Sequence, residues 1–258
     1  MTLFKIFGFS VHGYGLMLAI AFLVGIIGVG KLAKKLGISF DTVVDLAIWI
    51  IVGAVLGARA AYVITEYHYF LTVPWWQIFW VGSGGLAFHG GLIGGFIAGL
   101  LFIRSKKIYP WKLADIVAPF IALGYSIVRI GCFMNGCCYG KVSNLPWALR
   151  CAAGDSLLRH PTQFYSMIGS FILFLILFRQ RNHRHFSGYL FLLYIGLYSI
   201  LRFVVEIFRE SPVFLPWLSL AQLVCIILAS LAFGLIWFFG HRERRRSANT
   251  DAAPEAHH

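Results

Sequence analysis

The sequence predicts an all-α, polytopic membrane protein of about seven transmembrane helices, its N-terminus outside and its C-terminus cytoplasmic. Three observations lead there. Hydrophobic residues make up 59% of the 258 positions and charged residues 12%, and mean hydropathy is +0.79. A soluble domain carries about twice that share of charge. Apolar runs also recur at the length of about 20 residues that a helix needs to cross a bilayer. Finally, the basic residues gather in every second connection, which sets orientation.

The spans follow in order. The first covers roughly 13–30 and is closed by Lys31, Lys34 and Lys35. Only Lys5 precedes it and no small-residue cleavage site follows, so it reads as a retained helix, not a signal peptide. The second, near 43–64, carries Gly53, Gly57 and Ala61 at every fourth position, a face suited to close helix packing. The third, near 86–103, runs into Arg104, Lys106, Lys107 and Lys112. The fourth covers roughly 113–134, and the fifth, near 163–178, ends at Arg179, Arg181 and Arg184. The sixth lies near 188–209, and the seventh, near 218–239, ends at Arg242, Arg244, Arg245 and Arg246. Residues 1–240 thus read as one helical domain with a short outer head segment near 135–162. Residues 241–258 read as a basic, then polar, cytoplasmic tail, disordered beyond Arg246. The outer connections carry Pro74-Trp75-Trp76, the head segment and Pro212 to Trp217.

The net charge of +12 does not indicate nucleic acid, because its sources are short clusters between apolar runs. Three arginines break that pattern. Arg59, Arg129 and Arg202 lie within spans and, by this topology, in the outer half of the membrane. Arg150, Arg159 and Arg209 add charge near the same side. An arginine at the bilayer centre is unfavourable by about 2.5–3.5 kcal/mol on insertion scales and needs a partner. On the sixth helix Tyr194, Tyr198, Arg202, Glu206 and Arg209 form one polar stripe at steps of four and three. Arg202 and Glu206 can pair internally. One carboxylate cannot neutralise three guanidiniums, so an anionic ligand is expected, and the planar fork of arginine suits phosphate.

The third span opens Gly84-Gly85-Leu86-Ala87-Phe88-His89-Gly90-Gly91-Leu92-Ile93-Gly94-Gly95, a composition fitted to close backbone approach. His89 stands at the outer boundary, where a neutral imidazole can take a proton. No strand or GxGxxG spacing accompanies it, so it is no dinucleotide fingerprint, and Gly140-Lys141 is followed by Val142, so it is no P-loop. The residues alone indicate an anion site in the outer leaflet and favour phospholipid headgroup chemistry over transport.

These motifs resemble those of the prolipoprotein diacylglyceryl transferase family. The resemblance runs from Tyr14-Gly15-Leu16 to the last span. Phe88 to Gly94, Arg129-Ile130-Gly131 through Asn135-Gly136 to Gly140, His160-Pro161-Thr162-Gln163, and Arg202-Phe203-Val204-Val205-Glu206 with Phe208-Arg209 carry it. It implies transfer of the diacylglyceryl group of phosphatidylglycerol to the lipobox cysteine thiol of a prolipoprotein. A thioether forms, and glycerol-1-phosphate leaves. The implied setting is the bacterial inner membrane, and the implied partners are phosphatidylglycerol, a prolipoprotein signal peptide and membrane lipids. By the same resemblance Arg129 and Arg202 hold the lipid phosphate and stabilise the leaving group, and His89 is the base for the incoming thiol. Tyr14, Asn135, Gly140, Tyr198, Glu206 and Arg209 bind substrate or support the site. Neither a metal nor an organic cofactor is expected. A paralogous lipid-group transferase with another acceptor and a phospholipid or anion transporter are the alternatives, though no paired halves support transport.

One stretch departs from the family. Where its pattern usually reads Gly-Asn-Phe-Ile-Asn-Gly-Glu, this chain has Gly131-Cys132-Phe133-Met134-Asn135-Gly136-Cys137, then Cys138. The outer segment near 141–162 is also short for the family's periplasmic head. With Cys151 and Cys225 the chain has five cysteines and no CxxC pair, so a zinc site has little support. Three readings of the signature cysteines stay open: small buried residues, a Cys132–Cys137 disulfide facing an oxidising compartment, or a thiol in the chemistry as a transient acyl or glyceryl carrier.

Overall fold

The computed structural model describes residues 2–6, 9–80, 84–150, 156–183, 185–210, 213–215 and 218–251, with side chains for 13–80, 84–150, 156–183, 185–210 and 218–245. Among the described residues, seven helices are long and apolar enough to cross a membrane. The protein is an all-α, multi-pass membrane protein. Its elements are β1 (Thr2–Ile6), β2 (Phe9–His12), α1 (Gly13–Ala33), α2 (Phe40–Thr65), α3 (Tyr67–Thr72), α4 (Phe88–Ser105), α5 (Pro110–Met134), α6 (Thr162–Gln180), α7 (Tyr189–Ile207), β3 (Val213–Leu215), β4 (Leu218–Ser219) and α8 (Leu220–Asp251). The seven expected spans match α1, α2 and α4 to α8. The short α3, a 3-10 turn at Trp75–Phe79 and two small antiparallel hairpins (β1 with β2, β3 with β4) were not expected. All are too short to leave a hydropathy signal. The backbone of α8 stays helical to Asp251, beyond the expected onset of disorder at Ser247, and residues 252–258 lie outside the described residues.

The chain divides into two units. The first joins Met1–Gly28 to Ala114–His258, and the second is Val29–Leu113. In the first, α1 runs antiparallel along α5 through small residues. A Cβ at Gly28 would overlap the Phe120 ring, and one at Gly131 would come within 3.0 Å of the Tyr14 Cα. Ala122 of α5, Leu173 and Leu177 of α6 and Leu190 of α7 form the buried core, with Phe174, Leu193, Leu197 and Leu201 around it. Asp115 is 1% exposed. Its carboxylate accepts from the Gly188 and Phe191 backbone N–H groups at 2.8 and 3.2 Å. It thereby serves the orphan donors at the start of α7, as an N-cap would, from 73 residues away.

In the second unit, α2 and α4 pack along the small-residue face expected of α2. A Cβ on Gly57 would overlap the Gly90 carbonyl and come within 2.8 Å of the Gly94 Cα. Gly53 meets Ala98 and Gly94, and Ala61 meets Gly90. Without a hydrophobic driving force inside a bilayer, this backbone approach supplies the association energy. The glycine-rich opening of the third span therefore splits into two roles. Gly90, Gly91, Gly94 and Gly95 are helical packing positions, whereas Gly84 and Gly85 precede the helix at φ +90° and +76°, where a side chain would be strained.

Candidate active site

Arg59, Arg129 and Arg202 have three different environments. Arg59 is 9% exposed. Its Nε donates to the Ile78 carbonyl at 2.7 Å, one terminal nitrogen to Gly84 and Gly85 at 3.1 and 3.0 Å, and the other to Gln77 at 2.5 Å. The guanidinium also lies over the Tyr62 and Phe70 rings, at 5.6 and 5.3 Å from their centroids. Backbone carbonyls thus satisfy it, and it fastens the connection between α3 and α4. Of the three guanidiniums whose charge an anionic ligand was expected to help neutralise, Arg59 therefore already has its donors met by the protein.

Arg202 pairs with Glu206 at 2.7 Å, one turn along α7. Arg209 approaches the same carboxylate oxygen at 3.8 Å. Glu206 is 5% exposed, and its other oxygen accepts from Ser219 Oγ at 3.4 Å. The expected polar stripe is therefore a built array, with Tyr194 stacked on Tyr198 (5.7 Å between centroids) and two guanidiniums sharing one acid.

Arg129 is held differently. One terminal nitrogen donates to the Tyr125 hydroxyl, the guanidinium lies 4.4 Å from the Tyr125 ring centroid, and the other terminal nitrogen approaches Cys132 Sγ at 3.8 Å. Its Nε is buried without a hydrogen-bond partner. No carboxylate lies within ion-pair distance among the described residues. Tyr125 in turn meets Tyr198 edge to face at 5.3 Å, joining the last turns of α5 to the stripe on α7.

The loop after α5 turns back through Gly136 and Cys138, both at φ +64°. A non-glycine residue in that region needs support from its surroundings. Thr162 and Gln163, each 1% exposed at the start of α6, supply it. Thr162 Oγ1 donates to the Cys138 carbonyl at 2.7 Å, and Gln163 Nε2 to the Cys137 carbonyl at 2.8 Å. Gly140 sits where a Cβ would overlap the Phe208 carbonyl and lie 2.8 Å from His160 Cβ. Its N–H donates to His160 O at 2.9 Å, while Lys141 donates to Phe208 O from its backbone (2.8 Å) and to Ile207 O from Nζ (3.0 Å). This close approach brings the loop onto the end of α7, next to Arg209. Gly140 accordingly has a packing role. Sequence reasoning quoted Thr162 and Gln163 within a motif without assigning them a task, since a donor to a backbone carbonyl leaves no pattern.

Cys132, Cys137, Cys138 and Cys225 are free thiols. No disulfide joins Cys132 and Cys137 in this structure, where Cys137 Sγ donates to the Cys132 carbonyl at 3.6 Å. Cys151 lies outside the described residues. The buried-residue reading fits Cys132 and Cys225, at 5% and 7% exposure, but Cys137 and Cys138 are partly open. Cys138 is pushed down to about 4, first by the hydrogen bond from Cys132, with Cys137, Arg129 and Arg209 acting in the same direction against burial. Burial pushes Cys137 up, and its bond with Cys138 adds to that. Tyr14, at the start of α1, lies within electrostatic range of Arg129 and all three thiols. Asn135 is exposed, and its backbone N–H closes the end of α5 on the Gly131 carbonyl at 3.0 Å.

Tyr14, Arg129, Asn135, Gly140, Tyr198, Arg202, Glu206 and Arg209 therefore all belong to the first unit. His89 belongs to the second, exposed in the first turn of α4 with its ring 5.7 Å from Phe88.

Residues 1–238 match the family model described as prolipoprotein diacylglyceryl transferase. The chain belongs to the prolipoprotein diacylglyceryl transferase family. Curated relatives named phosphatidylglycerol–prolipoprotein diacylglyceryl transferase agree. One from Campylobacter jejuni subsp. doylei is 36% identical over 242 residues, covering 87% of this chain and 88% of its own. One from Finegoldia magna is 37% identical over 226 residues, covering 87% and 90%. One from Campylobacter lari is 35% identical over 259 residues, covering 95% and 94%. As a member of this diacylglyceryl transferase family, the chain combines an arginine-rich array with a three-thiol loop.

Proposed function

We propose that the chain transfers the diacylglyceryl group of phosphatidylglycerol to the lipobox cysteine of prolipoproteins, in the inner membrane of a bacterium. Its N-terminus then faces outward and its head segment lies in the periplasm. The observation that carries this reading is the Arg129 guanidinium, whose buried Nε has no partner. A phosphodiester oxygen supplies an acceptor for it, and the resulting bond is charge-assisted.

The chemistry is a displacement at carbon. The substrate thiol loses its proton, and its sulfur attacks the glyceryl carbon that carries the phosphate ester. A C–S bond forms and the C–O bond breaks. The electron pair leaves with the phosphate of glycerol-1-phosphate, which takes up a proton. Charge grows on the leaving phosphate, and fixed guanidiniums facing it lower the barrier without reorganising. Arg129 acts there directly. Glu206 fixes Arg202 and Arg209 while cancelling one of their two charges, so the pair keeps a net positive charge. His89 is assigned as base for the incoming thiol by family resemblance, and its exposure leaves it open to solvent exchange. A carrier role for Cys138 does not suit the reaction, because a thioether formed on it would not act as a leaving group in a second displacement.

The test is conversion of a prolipoprotein in cells depleted of their own transferase. Wild-type chain restores it, and Arg129→Ala or Arg202→Ala abolishes it. A folded wild type that converts no prolipoprotein would falsify the proposal and favour another acceptor.

A further inference from the structure

We propose that Cys132, Cys137 and Cys138 form a three-sulfur site for a thiophilic d10 cation, Zn2+ or Cu+. Their sulfur atoms all lie within 4.8 Å of one another. Three sulfurs sharing one ion at about 2.3 Å each are separated by roughly 3.8–4.0 Å. Closure onto a cation therefore needs an inward shift of under about 1 Å per pair, within reach of small side-chain rotations.

The spacing gave no sign of this, because four residues separate Cys132 from the adjacent pair Cys137-Cys138. The fold assembles the site by curling the chain. The last turn of α5 supplies Cys132, and the left-handed residues Gly136 and Cys138 return the chain over it. Two buried side chains, Thr162 and Gln163, fix the carbonyls of the two loop cysteines. Their donors go to backbone, so neither side chain occupies a sulfur, and the contacts the sulfurs make with Arg129 and the Cys132 carbonyl are long, at 3.8 and 3.6 Å. Three thiolates and Zn2+ carry a net charge of −1, and three thiolates and Cu+ carry −2. Arg129, whose terminal nitrogen is 3.8 Å from Cys132 Sγ, stands ready to offset it. Soft thiolates select these ions over hard cations such as Mg2+. The fourth position of Zn2+ would be water, whereas Cu+ accepts three sulfurs as a complete trigonal set. The site departs from the sequence expectation of no metal, and it stands whether or not the chain transfers diacylglyceryl groups.

The experiment measures metal, not activity. The full chain in detergent, in a background where Cys151→Ser and Cys225→Ser leave only the three thiols, is loaded with Zn2+ or with Cu+ under reductant, then desalted. About one equivalent of either ion is expected, falling at least tenfold in Cys138→Ser. Co2+ as a spectroscopic probe should give sulfur-to-metal charge-transfer absorption that the same variant loses. Because serine variants can misfold, the wild-type chain is also alkylated with and without Zn2+ or Cu+. The ion should protect Cys132, Cys137 and Cys138 together and leave Cys225 unchanged. Uptake of Cu+ alone selects the trigonal form. No retained ion, or retention and alkylation that ignore the three thiols, overturns the proposal.

Discussion

The loop after α3 and the loop after α5 are fastened by opposite means. In the first, one charged side chain does the work: Arg59 binds the carbonyls of Gln77, Ile78, Gly84 and Gly85. In the second, neutral or peripheral donors do it: Thr162 and Gln163 hold Cys138 and Cys137, and Lys141 holds Ile207. The arginine beside that second loop, Arg129, keeps a buried donor free. Both arginines are misplaced charges when read from hydropathy alone. What separates structural from functional is which of a guanidinium's five N–H donors the protein already uses.

The largest effect expected from this contrast is on catalysis. Arg129→Ala should cut prolipoprotein conversion by about 10²–10³, the usual cost of losing one transition-state donor, while thermal unfolding in detergent changes little. Arg129→Lys should fail nearly as badly, since an ammonium lacks the planar fork. Full activity of Arg129→Lys would remove bidentate phosphate binding from the account. Arg59→Ala should do the reverse. It strands part-buried carbonyls and should destabilise the protein by about 2–3 kcal/mol, read as a lower unfolding midpoint. Any residual folded fraction should keep its activity. Equal loss of activity per folded molecule in both variants would erase the distinction.

The spans were legible because their lengths and closing charges are one-dimensional signals. The same holds for the small-residue face of α2, which needs only period four, and for the stripe from Tyr194 to Arg209. The partners of Arg59 were not legible, because carbonyls belong to every residue alike. Nor was Asp115, whose cap on α7 spans 73 residues. The thiol cluster was hidden for a related reason. Left-handed Gly136 and Cys138 bring its members together, and nothing in the spacing of the cysteines announces that reversal.

A smaller effect concerns pH. The folded-state value of Cys138, about 4, lies below that of an ordinary thiol. Its thiolate therefore stabilises the fold fully above the ordinary thiol value near 8.5. That contribution declines as pH falls below it and is gone once pH passes through about 4. In metal-free protein Cys138 should react with iodoacetamide at pH 6, whereas Cys137, pushed up by burial, should need alkaline conditions. Equal rates for both at pH 6 would contradict the assignment. Arg209→Ala should move the Cys138 profile upward, since Arg209 helps to lower it.

The smallest expected effect tests the neutral fastening itself. Thr162→Val keeps the shape of the side chain and removes the hydroxyl that donates to Cys138 O at 2.7 Å. One buried hydrogen bond of this kind contributes about 1 kcal/mol. Its loss should free Cys138 from its left-handed conformation more than it weakens the helices, because the core around Leu177 and Leu190 is untouched. The sensitive readout is therefore local: faster hydrogen exchange at residues 136–140 with the unfolding midpoint nearly unchanged. The matching change in the second unit is Ser39→Ala, which removes the cap accepting from Thr42 N–H at 3.2 Å. It also costs about 1 kcal/mol and should loosen the start of α2. If Thr162→Val slowed prolipoprotein conversion while Ser39→Ala did not, the loop's fixed shape would be tied to keeping Arg129 available. If both variants kept full activity, the neutral fastening would serve the loop alone.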